Sequence, residues 1–279
     1  MTSADLPSTL VTVTTTEFLP GTRVMLASFL RRNRWFDGEI IVVTPTVYQA
    51  EAIKACTREF ERLHIRIVSQ ELAAAIATLV AAYPNLANRA ARFLSLECFW
   101  VGGGNSILYC DSDLLFLRDI SEGLTTDGEV LACPDRSYLM NDKNGLSFNA
   151  GMMLLRPAIC TEETRQQVLA RLDPNAWRSV RTDHTDQAVL NAVLSSRVTL
   201  LGQSYNRLIG HAIKLRSVAE MPLHATHVLH FNGPAKPWQI DKHIDAARQS
   251  GEMVKGYQLW FEAHCQNLAR MHLEPLQPV

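Results

Sequence analysis

Long apolar runs are missing from this 279-residue chain. No stretch of about 18 apolar residues occurs, so nothing reads as a membrane span. The opening Met-Thr-Ser-Ala-Asp-Leu-Pro has neither the basic region nor the apolar core of a secretory signal. An excess of either charge is missing too: 27 Lys and Arg stand against 28 Asp and Glu, a formal net charge of −1. A nucleic-acid binder would carry a clear basic surplus, which counts against that class but leaves room for a local basic patch that holds phosphates. The six cysteines, at 56, 98, 110, 133, 160 and 265, include no CxxC pair, so they read as reduced, mostly buried thiols and not as a zinc site or disulfide framework. Repeats, low-complexity tracts and a convincing linker are also lacking. The remaining composition, 47% hydrophobic and 20% charged, is that of a soluble globular protein long enough to bury a sizeable core. A cytoplasmic enzyme is expected, with peripheral attachment to the inner membrane surface left open.

What is present is alternation. Residues 10–16, LVTVTTT, form a β-branched run followed by a helical pattern over 22–32, a strand over 40–44, a helix over 48–63 and a strand over 64–68. Such alternation predicts βαβ units and a mostly parallel sheet. Residues 72–82 and 90–100 read as helices. A Gly-rich break at 102–105 then precedes a short buried strand over 107–110, which ends on Asp111. Strands over 130–133 and 148–155 flank a polar loop, helices follow over 162–171 and 186–194, and the last strand covers 226–231. The stretch 244–271 is helical with an interruption at Gly251.

Carboxylates two residues apart on an extended segment point to the same side. Asp111 and Asp113 can therefore approach one hard cation from one edge, at the carboxyl end of a strand where α/β sheets gather ligands. Oxygen ligands suit Mg²⁺ or Mn²⁺, and an added imidazole tilts the choice toward Mn²⁺. Asp-x-Asp alone also serves as a turn or helix N-cap. The segment from His230 to Trp238, HFNGPAKPW, strengthens the metal reading. His230 ends a β-branched strand and offers the imidazole. Gly233 lets backbone approach a phosphate without a Cβ, Lys236 adds a point charge, and Pro237 stiffens the loop. The bland alternative is a surface turn with a core tryptophan. His227, three residues before His230, points to the opposite face of an extended strand and reads as structural.

In order along the chain, LVTVTTT, the strand-terminal Asp-Ser-Asp, CPD, FNAG, DQAVLN and HFNGPAKPW resemble the pattern of family 8 glycosyltransferases, a group that includes glycogenin and the bacterial lipopolysaccharide galactosyltransferases. The resemblance implies a GT-A fold, the α/β nucleotide-diphospho-sugar transferase architecture with a mostly parallel mixed central sheet flanked by helices. It implies one catalytic domain over 1–279, with a core of about 9–240 and a C-terminal helical extension over 241–279. The implied activity is retaining, Mn²⁺-dependent transfer of a hexose from a UDP-sugar, UDP-glucose or UDP-galactose, to an acceptor hydroxyl. The acceptor would be a glycan, a small molecule or a protein, and Mg²⁺ is the alternative metal.

Position by position, the likeness makes Asp111, Asp113 and His230 the metal ligands. Val13, Thr14, Thr15 and Thr16 would lie along the uridine, Ser112 would bind the donor, and Gly233 and Lys236 would hold the diphosphate. Asp135 and Asn149 would face the donor sugar, with Asp186 and Gln187 near the anomeric carbon. Each has a structural alternative: a turn for Asp135, backbone partners for the Asn149 amide, and a helix N-terminus for Asp186 and Gln187. Arg92, or Arg89 in its place, is the basic residue expected to reach the diphosphate or sugar. Family members often carry Asn-Asp or Asp-Asp after the first strand, whereas this chain has Thr16-Glu17; Phe18 and Leu19 compete for the place of an aromatic near the uracil. Retention leaves double displacement, with Asp186 or the poorly nucleophilic Gln187 as the nearest candidate, or a front-face route, and the second is favoured because the motif assures no well-placed carboxylate. Rival readings are a nucleotide-sugar hydrolase and a non-catalytic sugar-nucleotide binder. A nucleotidyltransferase should show a Gly-rich basic loop after its first strand, which LVTVTTTEF is not.

Overall fold

The computed structural model describes residues 6–102, 104–135, 147–180, 185–211, 223–248 and 250–273. The polar loop expected between residues 134 and 147 lies for the most part outside the described residues. The strands are β1 (Thr9–Val13), β2 (Glu39–Thr44), β3 (Leu63–Ile67), β4 (Ile107–Cys110), β5 (Leu114–Phe116), β6 (Val130–Pro134), β7 (Phe148–Leu155), β8 (Val198–Leu200), β9 (Arg207–Leu208) and β10 (Val228–His230). Seven of them form a sheet in the order β3-β2-β1-β4-β7-β6-β8, and β5-β10-β9 form a second, small sheet. In the large sheet β7 alone is antiparallel to its neighbours, and the other pairs run parallel. This is the mostly parallel mixed sheet of the GT-A fold.

The longer helices are α1 (Leu19–Arg32), α2 (Val47–Cys56), α3 (Gln70–Ala82), α4 (Glu162–Leu172), α5 (Thr185–Leu194), α6 (Ile240–Arg248) and α7 (Gly251–Leu273). Their starts follow from local chemistry. Pro20 lies in the first turn of α1, where its missing N–H is no loss, and the Thr46 and Thr161 hydroxyls accept from the N–H groups of Gln49 and Thr164 to cap α2 and α4. No helix among the described residues is long and apolar enough to cross a membrane.

Neighbouring strand residues point to opposite faces, and both faces of the central strands are covered. Val11, Tyr109 and Met153 pack with Phe93 and Val189 on one side. Leu10, Leu108 and Leu154 pack with Met25 and Phe29 of α1 on the other. A third cluster joins the small sheet to α7 through Leu115, Leu229, Phe231, Tyr257 and Trp260. The C-terminal helical stretch is therefore docked along its length, and it closes the back of the small sheet.

Two expectations change. The helix expected over 90–100 is a long 3₁₀ segment, Pro84–Glu97, ending in one α-turn, Cys98–Val101. Phe93 through Phe99 are all buried, so this stretch has no solvent face to impose a 3.6-residue period. Helix α2 stops at Cys56, short of residue 63, because the Thr57 hydroxyl turns back to the Ile53 carbonyl at 2.9 Å.

Candidate active site

The chain leaves β1 toward β2 on one side, while β4 lies on the other, so the carboxyl ends of β1 and β4 flank a topological switch point. A cleft of about 600 Å³ opens there. Its lining includes Val13, Thr14, Thr15, Arg92, Asp111, Ser112, Asp113, Asp135, Asn149, Asp186, Gln187, His230, Gly233 and Lys236. Thr16 is the exception among the anticipated residues. The turn closed by Phe18 N–H on the Thr15 carbonyl carries Thr16 outward, where it is exposed and outside the lining. Arg92, not Arg89, reaches the cleft.

Asp111, Asp113 and His230 bring ligand atoms within 4.8 Å of one another. His230 Nε2 lies 3.2 Å from Asp113 Oδ1 and 3.7 Å from Asp111 Oδ2. The Asp111 backbone N–H is held by the Gly151 carbonyl at 2.7 Å, and the Tyr109 hydroxyl donates to Asp111 Oδ1 at 2.7 Å. A Cβ on Gly151 would come within 2.3 Å of the His230 ring, so the glycine of FNAG makes room for the imidazole. Burial, and next the charge of Asp113, push the Asp111 carboxyl up to about 6. Burial acts against ionisation of Asp113 as well, but Lys236 and His230 overcome it and hold that carboxyl well below the usual carboxylate range. Asp113 Oδ1 is buried and makes no well-directed hydrogen bond, with His230 Nε2 its neighbour at 3.2 Å. A buried carboxylate oxygen without a donor costs about 1–3 kcal/mol, more when charged. An orphaned oxygen beside a second carboxylate and an imidazole fits a hard divalent cation.

One side of the cleft, expected from the resemblance to hold the diphosphate, is built from the loop after β10. Gly233 has φ +82°, a left-handed conformation that favours glycine, and a Cβ there would meet open space on the cleft side. Lys236 donates to Asp113 Oδ2 and, at 2.7 Å, to the Phe231 carbonyl, with the Phe18 ring 5.7 Å away. Phe18 also meets Trp238 edge to face and lines the cleft, whereas Leu19 packs against the core below α1. Phe18 is thus the aromatic at this end. Glu17, which departs from the family's usual residue, lines the mouth and accepts from Gln239 at 2.7 Å.

On the sugar side, Gln187 Nε2 donates to Asp135 Oδ2 at 2.5 Å, and Gln187 Oε1 accepts from Asn149 Nδ2 at 3.1 Å. Asp186 accepts from the Ser95 hydroxyl at 2.8 Å and from Thr185 at 3.0 Å. Burial raises the Asp186 carboxyl, and these two donors and Arg92 work in the other direction. Ser95 and Tyr109 were not legible as site residues, because they sit in wholly buried runs without a motif. Asn206, which bonds both His230 and Asn149, carried no sequence signal either.

Comparison with known proteins bears on the fold and the family. The curated glycosyltransferase GlyD of Streptococcus pneumoniae serotype 4 (strain ATCC BAA-334 / TIGR4) is 26% identical over 149 residues, 48% of this chain and 17% of that protein, so the chain spans only a small part of that relative's length. Among solved structures, the galactosyltransferase LgtC in complex with donor and acceptor sugar analogs matches with a TM-score of 0.63 at 18% identity, over 88% of this chain and 95% of that one. The apo form of the glycosyltransferase GlyE of Streptococcus pneumoniae TIGR4 matches with a TM-score of 0.59 at 15% identity, over 95% and 64%. Apo mouse xyloside xylosyltransferase 1 matches at 0.55 and 16%, over 81% and 98%. At such identities these likenesses establish the fold. The sequence pattern goes further: the profile of glycosyl transferase family 8 matches residues 9–242, from β1 through the phosphate loop into α6, and the chain belongs to that family.

Proposed function

We propose that this chain, acting as one catalytic unit, transfers a hexose from a UDP-sugar to an acceptor hydroxyl with retention of configuration and with Mn²⁺ as its metal. The observation that carries the reading is the convergence of Asp111, Asp113 and His230, with an orphaned carboxylate oxygen among them, beside the Gly233 loop. Family membership supports the retaining outcome and the nucleotide-sugar class, and UDP-glucose and UDP-galactose are the favoured donors. A glycan is the favoured acceptor. All six cysteines are free, which fits a reducing cytoplasmic setting.

Bound by the three ligands, a divalent cation would act as a Lewis acid toward the departing diphosphate. The chain's own groups do the rest. Lys236 and the loop amides around Gly233 add positive potential where negative charge develops on the leaving group. Asp135 and Asp186 offer carboxylate oxygens to the sugar side, where positive charge develops. Asp186 and Gln187 are both held in place by neighbouring donors, and an amide oxygen is in addition a poor nucleophile. Asp186 is engaged by Ser95 and Thr185, and Gln187 Oε1 accepts from both Asn149 and the Ala150 N–H. We favour a front-face route: the carbon–oxygen bond to the diphosphate breaks, the acceptor oxygen bonds from the same face, and its proton passes to the leaving diphosphate.

The test is Mn²⁺-dependent UDP release with and without candidate acceptors. D113N and H230A should each lower the rate by about 100-fold or more, as expected for loss of a major electrostatic contribution. Rates unchanged in both variants would reject the site. Release that no acceptor accelerates would assign a hydrolase instead.

A further inference from the structure

Asn206 lies between the 3₁₀ turn Gln203–Tyr205 and β9, and is almost wholly buried. Its Oδ1 is 2.9 Å from His230 Nδ1, and its Nδ2 donates to Asn149 Oδ1 at 2.8 Å. An amide considered alone can be turned end for end, but here backbone donors fix the direction. The Gly151 N–H donates to Asn149 Oδ1 at 2.9 Å, so that atom is oxygen. The Ala150 N–H donates to Gln187 Oε1 at 3.3 Å, so that atom is oxygen too. Asn149 Nδ2 accordingly faces Gln187, and Gln187 Nε2 faces the Asp135 carboxylate. Asn206 has to turn its NH₂ toward Asn149, which leaves its oxygen for His230. An acceptor at Nδ1 demands a proton there, and in the neutral ring, the form that ligates a metal, the lone pair then sits on Nε2, the nitrogen that faces Asp111 and Asp113.

We propose that Asn206 is a positioning residue that locks His230 in the tautomer with Nε2 bare for a divalent cation, and that joins the cation site to the amides facing the donor sugar. The proposal rests on the metal-dependent reading above. A metal-binding histidine usually donates its other N–H to a carboxylate or carbonyl, which fixes the ring and raises its basicity. In this chain the carboxylate, Asp135, stands three amides away. All donors along Asn206, Asn149 and Gln187 point the same way, so each bond polarises the next.

The experiment is a titration of Mn²⁺ in the presence of UDP, read by the electron paramagnetic resonance signal of free Mn²⁺, on wild type, H230A, N206L and N206D. N206L has nearly the shape of asparagine and no acceptor, and should weaken Mn²⁺ binding about 10–100-fold. N206D keeps an oxygen for Nδ1–H but sets its other oxygen against Asn149 Oδ1, so it should bind Mn²⁺ less tightly than wild type and clearly more tightly than N206L. N206L binding as tightly as wild type, or N206D binding as weakly as N206L, would overturn the role of Asn206. Wild type that binds no Mn²⁺ with UDP would overturn the metal reading itself, and the proposal with it. Thermal unfolding without Mn²⁺ establishes that the variants are folded, and N206A replaces N206L if the latter is not.

Discussion

Two aspartates separated by one serine have opposite electrostatics. Asp111 is pushed up to about 6 by burial and by its neighbour's charge, while Lys236 and His230 outweigh burial to keep Asp113 ionised. Between the ordinary value of 3.8 and about 6, the folded metal-free chain retains a proton on Asp111 that the unfolded chain has released. The contribution of Asp111 to stability therefore falls as pH rises through that window and stays low above it. Metal binding must displace the same proton, so Mn²⁺ affinity is expected to weaken steadily as pH drops below about 6. Titrations between about pH 5 and pH 8 check this, and an affinity that is flat across the range would remove Asp111 from the ligand set. These two residues and His230 could be read from the sequence through the Asp-x-Asp and HFNGPAKPW patterns, although the expected extended segment is a turn: β4 ends at Cys110 and β5 begins at Leu114, so the two carboxylates converge through the turn and not through strand alternation. Asn206 could not, since its role depends on a strand more than 20 residues away and on backbone N–H groups of β7. The choice between Phe18 and Leu19 likewise needed the position of Trp238.

At the scale of elements, periodicity was informative only where an element had length and a solvent face. The alternation of strand and helix through β3 and α3 followed from apolar spacing. Strands β5, β8 and β9 have three, three and two residues, too few for a period to register. They depend on tertiary contacts, and the link between α1 and the segment carrying β5 is the clearest of these. Ser28 Oγ accepts from the Phe116 N–H at 3.1 Å, and Asn33 Oδ1 accepts from the Ile120 N–H at 3.0 Å while its Nδ2 caps the Phe29 carbonyl at 2.9 Å. Asn33 is fully buried. N33A leaves the Ile120 N–H without its partner and should lower stability by about 2 kcal/mol, measured by urea denaturation. A loss under about 0.5 kcal/mol would mean that water takes over both bonds.

In the molecule as a whole, the ligand triad straddles the two sheets. Asp111 follows β4 of the large sheet, Asp113 immediately precedes β5, and His230 ends β10 of the small sheet. The second sheet was not legible, because nothing in the spacing of Asp-Ser-Asp announces that the chain leaves one sheet for another there. A cation held by all three would fasten the sheets together. Mn²⁺ with UDP should therefore slow amide hydrogen exchange in β5, β10 and α7 more than in β2 and β3, and equal slowing everywhere would argue for global stabilisation alone.

Helix α7 supplies none of the three proposed ligands, yet Trp260 packs against Trp238 at 5.8 Å and shares a cluster with Leu229 and Phe231, which flank His230. Because coupling between two equilibria is reciprocal, whatever the cation does to hold α7 in place, α7 does in equal measure for the cation. On the proposed metal reading, the strength of the cation site is in this sense partly a property of α7, a helix that supplies none of its ligands.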